Sequence, residues 1–393
     1  MAPDDRVVSE PGDVRELGAA LRAAGAFALD LEFVSESRYV PEICLAQVAW
    51  GDPEAPEVAA VDPLATDPRP VLELVAEPEV ETVFHAAQAD LALMARRFGL
   101  TGRNVYDTQI AAAFLGLGDQ IGYANLIATL LDVELDKGAQ FTDWCRRPLS
   151  GEQLRYALDD VRYLAGAWPR LRRRLEEAGR LGWVEEETER LAATAATPTP
   201  PEEMYRRVKG WNRVKGRALG ALQSLAAWRE RKALEENRPP SWILQDRSMI
   251  EVARRAPRTR EDLGGIRGVK EGTVHRYGHE ILRAVRTGGK ARRDSGPSPR
   301  PLPDKARGWT VLLSGVVTAR AREAGIATRF VATRDDLESL VRWWIEGDRS
   351  RQPDLAILTG WRRELAGKAL LSILAGETAV AIDESSDAGI RLA

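Results

Sequence analysis

The first half of the chain alternates short apolar runs with polar turns. "AFALDLEFV" (26–34) and "ICLAQVAWG" (43–51) flank the turn-like "SESRYVPE", and "PEVAAVDP" (56–63) and "VETVFHA" (80–86) follow. Their length and bounding residues predict four strands. "PRPVLELVAE" (68–77), "AQADLALMARRFG" (87–99) and "DTQIAAAFLGLG" (107–118) place apolar residues three and four apart, as helices do. Strands mixed with helices predict an α/β domain with a sheet covered by helices. From about residue 120 onward the pattern is helical. The Pro/Thr-rich "TPTPPEE" (197–203) marks a domain boundary. A basic Gly/Pro/Ser-rich stretch over 287–306 has no apolar periodicity and predicts a flexible linker.

Charge divides the chain along the same lines. Residues 1–202 carry 19 Lys+Arg against 35 Asp+Glu, a net of −16; residues 203–306 carry 25 against 12, a net of +13; residues 307–393 are balanced at 12 each. An acidic domain beside a basic one fits a metal-using catalytic unit next to a polyanion-binding module. Within "RRVKGWNRVKGR", Arg206, Arg207, Lys209, Arg213, Lys215 and Arg217 surround Trp211, a pattern suited to phosphate contacts. No apolar run reaches the roughly 20 residues of a membrane span, and "MAPDDRVVSEPGD" lacks the apolar core of a secretory signal. The two cysteines, Cys44 and Cys145, form no CxxC and lie far apart. Neither a zinc site nor a disulfide framework is expected, and a cytoplasmic monomer that binds no membrane is the expected state.

Two acids break the first strand. Side chains alternate across a strand, so Phe27, Leu29, Leu31 and Phe33 share one face and Ala28, Asp30 and Glu32 the other. Adjacent carboxylates repel unless a cation lies between them, and their hard oxygens suit magnesium or manganese. A solvated strand face is the competing reading. The same triplet, Asp-Leu-Glu, recurs at 336–338, where Thr333 predicts a helix N-cap and the acids are helix-start charges. Asp90 sits with Leu91 and Met94 in a helical pattern. In "LSGEQLRYALDDVRYL", Ser150 and Gln153 predict a capping box, and Tyr156 and Asp160, four apart, share one helix face. Asp159 points about 100° away. Four carboxylates and a tyrosine in one α/β domain suggest two-metal phosphodiester hydrolysis.

"ALDLEFV", "VFHAAQADLALM" and "YALDDVRYL" resemble the three motifs of the DEDD superfamily of 3′→5′ exonucleases, in the subgroup with Tyr in the third motif. The stretch from "VYDTQIAAAFLGLG" to "YALDDVRYL" resembles bacterial ribonuclease D, and the resemblance as a whole covers roughly residues 5–195. "LAAWRERKALEENRPPSWILQD" followed by "DLGGIRGV" resembles an HRDC domain, and "LTGWRRELAGKALLSILAGE" more weakly a second such module. The resemblance implies an α/β ribonuclease H-like exonuclease domain over residues 1–200, an HRDC domain over 204–287, a linker over 288–306 and a second all-α HRDC-like domain over 307–393. It implies that Asp30, Glu32, Asp90 and Asp160 hold two divalent ions, Mg2+ or Mn2+. It also implies that Tyr156 orients the attacking water and that RNA 3′ ends, tRNA precursors among them, are the substrate. Phe33 and His85 stand beside motif acids as candidates to touch the terminal nucleotide. Asp107 reads as either a substrate contact or a helix N-cap. A DNA 3′→5′ exonuclease and a non-catalytic RNA-binding protein are the alternatives. Neither a polymerase domain nor a GxxxxGK[ST] loop supports the first, and the five intact motif positions oppose the second.

Overall fold

The apolar runs pair into one six-stranded sheet. In the computed structural model, which describes residues 6–135, 138, 142–290 and 302–393, the strands are β1 (Arg6–Val8), β2 (Ala26–Val34), β3 (Glu42–Trp50), β4 (Glu57–Val61), β5 (Glu81–Phe84) and β6 (Val105–Asp107). Their order is β1-β4-β3-β2-β5-β6. β3 runs antiparallel to both β2 and β4, and the remaining pairs are parallel. The strands expected from the hydrophobic pattern all form. β1 and β6 were not expected, because three residues are too few to show a period.

Side-chain alternation assigns each sheet face its cover. Phe27, Leu29 and Leu31 of β2 bury against Val14 and Leu17 of α1 (Pro11–Ala24), Val71 of α2 (Arg69–Leu72) and Met94 of α3 (Gln88–Phe98). Ala28 of β2 and Leu45 and Ala49 of β3 bury against α4 (Thr108–Phe114), α5 (Tyr123–Leu131) and the 27-residue α6 (Gly151–Glu177). Asp30 and Glu32 belong to this second face. α6 starts at the expected capping box: Ser150 Oγ accepts from the Gln153 N–H at 3.1 Å, and Gln153 Oε1 accepts from the Ser150 N–H at 2.9 Å. α7 (Leu181–Ala196) closes the domain against α3 and β6.

One expectation fails here. Cys44 and Cys145, 101 residues apart, form a disulfide with their Cα atoms 4.9 Å apart, inside the range a disulfide spans. Pairing opposite β2 jumps from Leu45, opposite Glu32, to Ile43, opposite Phe33. Cys44 is therefore the extra residue of a β-bulge, and the bulge turns it toward the helical face. The ground that the cysteines gave for a reducing compartment falls with this pairing. Arg147 secures the same loop through both oxygens of Asp62 (2.6 and 2.7 Å) and the Cys44 carbonyl (2.5 Å).

The middle module has its own core. α8 (Gly216–Glu235), α9 (Pro240–Ile243), α10 (Asp246–Arg255), α11 (Arg260–Gly264) and α12 (Glu271–Lys290) enclose Leu222, Leu225, Met249, Leu263 and Ile281. α8 and α12 touch backbone to backbone. A Cβ placed on Gly288 would lie 2.1 Å from the Gly220 carbonyl oxygen, so only glycine fits. Tyr39, from the loop after β2, packs into this core and donates its hydroxyl to Glu230; the Tyr39 and Val40 N–H groups donate to Asn237 Oδ1 at 3.1 and 2.9 Å.

The last module joins the first. α13 (Asp304–Glu323), α14 (Thr328–Val331), α15 (Arg334–Glu346) and helical turns over 360–375 precede a small hairpin of β7 (Val380–Ile382) and β8 (Ile390–Leu392), so the module is not purely helical. Phe114 of α4 meets Phe330 and Trp361 at 5.1 and 5.2 Å, and Trp183 stacks on Trp361 at 4.8 Å. Arg362, buried, donates to Glu186, Glu187 and the Phe330 carbonyl. One continuous core results. α12 runs to Lys290 and α13 begins at Asp304, which shortens the stretch expected as linker; residues 291–301 of it lie outside the described residues. The second Asp-Leu-Glu behaves as expected: Thr333 and Asp336 form a capping box at the start of α15. No described helix is long and apolar enough to cross a membrane.

Candidate active site

Two elements aim carboxylates at one point. β2 presents Asp30 and Glu32 on one face, and α6 presents Asp160. One oxygen from each lies within 4.8 Å of the others. Asp90, in the first turn of α3, lies outside this triad, yet its charge acts on both Asp30 and Glu32. It is 6% exposed, and its Oδ1 has no hydrogen-bond partner. Asp90 is therefore a buried acid and not a solvent-facing helix charge. The acids of β2 are likewise no solvated strand face.

The electrostatics of this cluster are unfavourable without a cation. Burial first, then its three neighbouring acids, pushes Glu32 up to about 9. Burial and then Asp30 push Asp160 up to about 8, and burial also holds Asp90 well above the carboxylate range. Asp30 rises less, to about 6, because the Gln47 amide and the Leu31 N–H favour its charged form against burial. Four acids that resist ionising together, one with an orphaned oxygen, form a donor set that a hard divalent cation would relieve. The residues present fit such a group.

Tyr156 stands one helical turn before Asp160 and hydrogen-bonds to it. Burial, then the charges of Asp160, Glu32 and Asp30, raise its phenol above the ordinary value, so it is a proton donor and not a base. Trp144, buried in the loop held by Cys145 and Arg147, packs on its ring at 6.0 Å. A small open pocket lies beside the acids, lined by Leu135, Glu152, Arg155, Tyr156, Asp159 and Asp160 among others.

The other expected residues separate. His85 is largely buried, with Nδ1 3.0 Å from Thr108 Oγ1 and its ring 5.5 Å from Tyr123; burial lowers its pKa, which keeps it neutral. Tyr123 in turn lies within the field of Asp160 and Asp30. Phe33 is half-buried against the opposite core, beyond the bulge, away from the face of Asp30. Asp107 spends its carboxylate on backbone. It accepts from the Ala86, Ala87 and Gln109 N–H groups at 3.0, 2.9 and 2.8 Å, capping α4 and holding the turn that enters α3. Ala86 in that turn has φ 58°. The N-cap reading therefore stands. Three residues near the site were not foreseen: Gln47, Arg155 and Trp144. Only Gln47 left a trace in sequence, as the lone polar residue of "ICLAQVAW".

Comparison with known proteins agrees with this geometry. Residues 6–176 match the 3′-5′ exonuclease family and residues 218–285 the HRDC domain. A ribonuclease D of Sphingobium indicum is 36% identical over 384 residues, spanning 96% of each chain, and one of Zymomonas mobilis is 36% identical over 386 residues, again 96% of each. The chain belongs to the ribonuclease D family. The crystal structure of Escherichia coli RNase D, described as an exoribonuclease involved in structured RNA processing, superposes with a TM-score of 0.82 at 28% identity, covering 94% of this chain and 98% of that one. As a ribonuclease D-type enzyme the chain is a 3′→5′ exoribonuclease, a phosphodiester hydrolase with RNA as substrate. The acidic cluster points to dependence on a divalent metal.

Proposed function

We propose that the enzyme trims the 3′ ends of structured RNAs, tRNA precursors among them, releasing 5′-mononucleotides one at a time. The convergence of Asp30, Glu32 and Asp160, with the buried Asp90 acting electrostatically on Asp30 and Glu32, carries this reading. These four would hold two divalent ions, Mg2+ or Mn2+. When bound, such ions supply the Lewis acidity that activates water and neutralises charge on the scissile phosphate. Tyr156, a phenol that keeps its proton, orients the attacking water by hydrogen bond, and Trp144 fixes its ring. His85, backed by Thr108 and Tyr123, is placed to contact the terminal nucleotide. Phe33 supports β2 from behind and has a weaker claim to that role. We place the enzyme in the cytoplasm, with its RNA, as a monomer.

The domain division follows: an exonuclease domain over 1–200, an HRDC domain over 204–287 that grips the RNA body, and a second HRDC-like module over 307–393. Arg213, Lys215 and Arg217 are exposed and form no ion pair with the described residues. Substituting all three with Glu is expected to weaken binding of a tRNA precursor by about 10-fold or more and to lower the salt slope by up to about three. Hydrolysis of a short single-stranded RNA should change less than about threefold, since so short a chain needs few phosphate contacts. Equal losses on both substrates would refute the division of labour. Point substitutions suit this test better than truncation after residue 203, which would bare Phe114 and Trp183.

A further inference from the structure

Strand β3 is buried along almost its whole length. From Ile43 to Ala49 its residues are Ile, Cys, Leu, Ala, Gln, Val and Ala, each no more than 1% exposed. Gln47 is the one polar member, and it is 0% exposed. A polar amide in such a place is retained only if it meets a partner. Its partner is specific. In the antiparallel register Gln47 stands directly opposite Asp30, and its Nε2 donates to Asp30 Oδ2 at 2.6 Å. Glu32, two residues on, stands opposite Leu45, which offers no such donor. The two acids of β2 are thus held unequally. Asp30 has one oxygen fixed from across the strand, and Glu32 has none fixed this way.

The other end of the amide is not used. Gln47 Oε1 is buried and without a hydrogen-bond partner. An orphaned carbonyl gives the fold nothing, so packing alone does not account for a glutamine here. The N–H contact to Asp30 is what the residue contributes.

We propose that Gln47 is a positioning residue that fixes the Asp30 carboxylate, so that its other oxygen is presented to the metal site. This rests on the assignment of Asp30 as a metal-holding residue. Outer hydrogen bonds of this kind orient a carboxylate for the metal, and their loss typically weakens metal affinity about 10- to 100-fold.

The test compares wild type with Gln47→Met, Gln47→Leu and Asp30→Asn in the full chain. Mn2+ affinity is measured by titration calorimetry, folding by thermal melting in EDTA, and kcat and KM on a short RNA. The expected result for Gln47→Met is Mn2+ binding about 10-fold or more weaker, with cooperative melting retained. The RNA KM stays within about twofold, and kcat recovers as Mn2+ is raised. Gln47→Leu should behave alike, so one poorly folding variant does not remove the test. If Asp30→Asn weakens Mn2+ binding and both folded Gln47 variants bind as wild type does, the positioning role is overturned while the active-site assignment survives. If Asp30→Asn also binds Mn2+ normally, the assignment itself fails, and the role of Gln47 fails with it.

Discussion

Asp30→Asn and Asp160→Asn are each expected to lower nucleotide release by at least about 10³-fold, about 4 kcal/mol of barrier, with RNA binding largely kept. Each substitution preserves size and removes one charge from a cluster whose members already resist ionising together. Without metal the variants should therefore melt no lower than wild type. The combination separates a catalytic loss from a folding loss, because a damaged fold would lower both melting temperature and RNA binding. The core of the HRDC helices contains none of these acids, so RNA binding there is read separately from them. Full activity in both variants would sink the assignment of the acids.

Cys44→Ser in the oxidised protein is expected to cost about 4–5 kcal/mol of stability. A cross-link closing a loop of 101 residues removes that much chain entropy from the unfolded state in the loop-closure account. Reduction of wild type should produce the same loss, and the reduced wild type and the variant should unfold at equal denaturant concentrations. Arg147 keeps its bonds to Asp62 and the Cys44 carbonyl in both, so the loop carrying Trp144 should stay docked and activity should fall little. Coincident unfolding of oxidised and reduced wild type would contradict the cross-link. A reducing cytoplasm favours the thiol pair, so the oxidised form is the one to prepare for this comparison.

The acids of the site were legible in sequence because each sits on an element with a clear period. Asp30 and Glu32 interrupt an alternating strand, and Tyr156 and Asp160 lie four apart on a capped helix. The two Asp-Leu-Glu triplets separated on the same grounds, one facing α6 in the sheet and the other capping α15. What stayed hidden depends on register and long-range packing. Gln47 reads as an anomaly in an apolar strand until its pairing with Asp30 is known. The cysteine pair needs a bulge that no local pattern announces. Phe114, Trp183 and Trp361 each look like core of their own module, and only the fold shows that they meet. Asp107 kept two readings because an N-cap and a substrate contact use the same carboxylate.

Release of label from a structured RNA carrying it at the 3′-terminal nucleotide tests the central claim most directly. With Mg2+ or Mn2+ the label should leave first and as a 5′-mononucleotide, a matched DNA should react far more slowly, and EDTA should stop both. Label leaving in oligonucleotides, or undiminished release in EDTA, would contradict a metal-dependent 3′→5′ exoribonuclease built on Asp30, Glu32, Asp90 and Asp160.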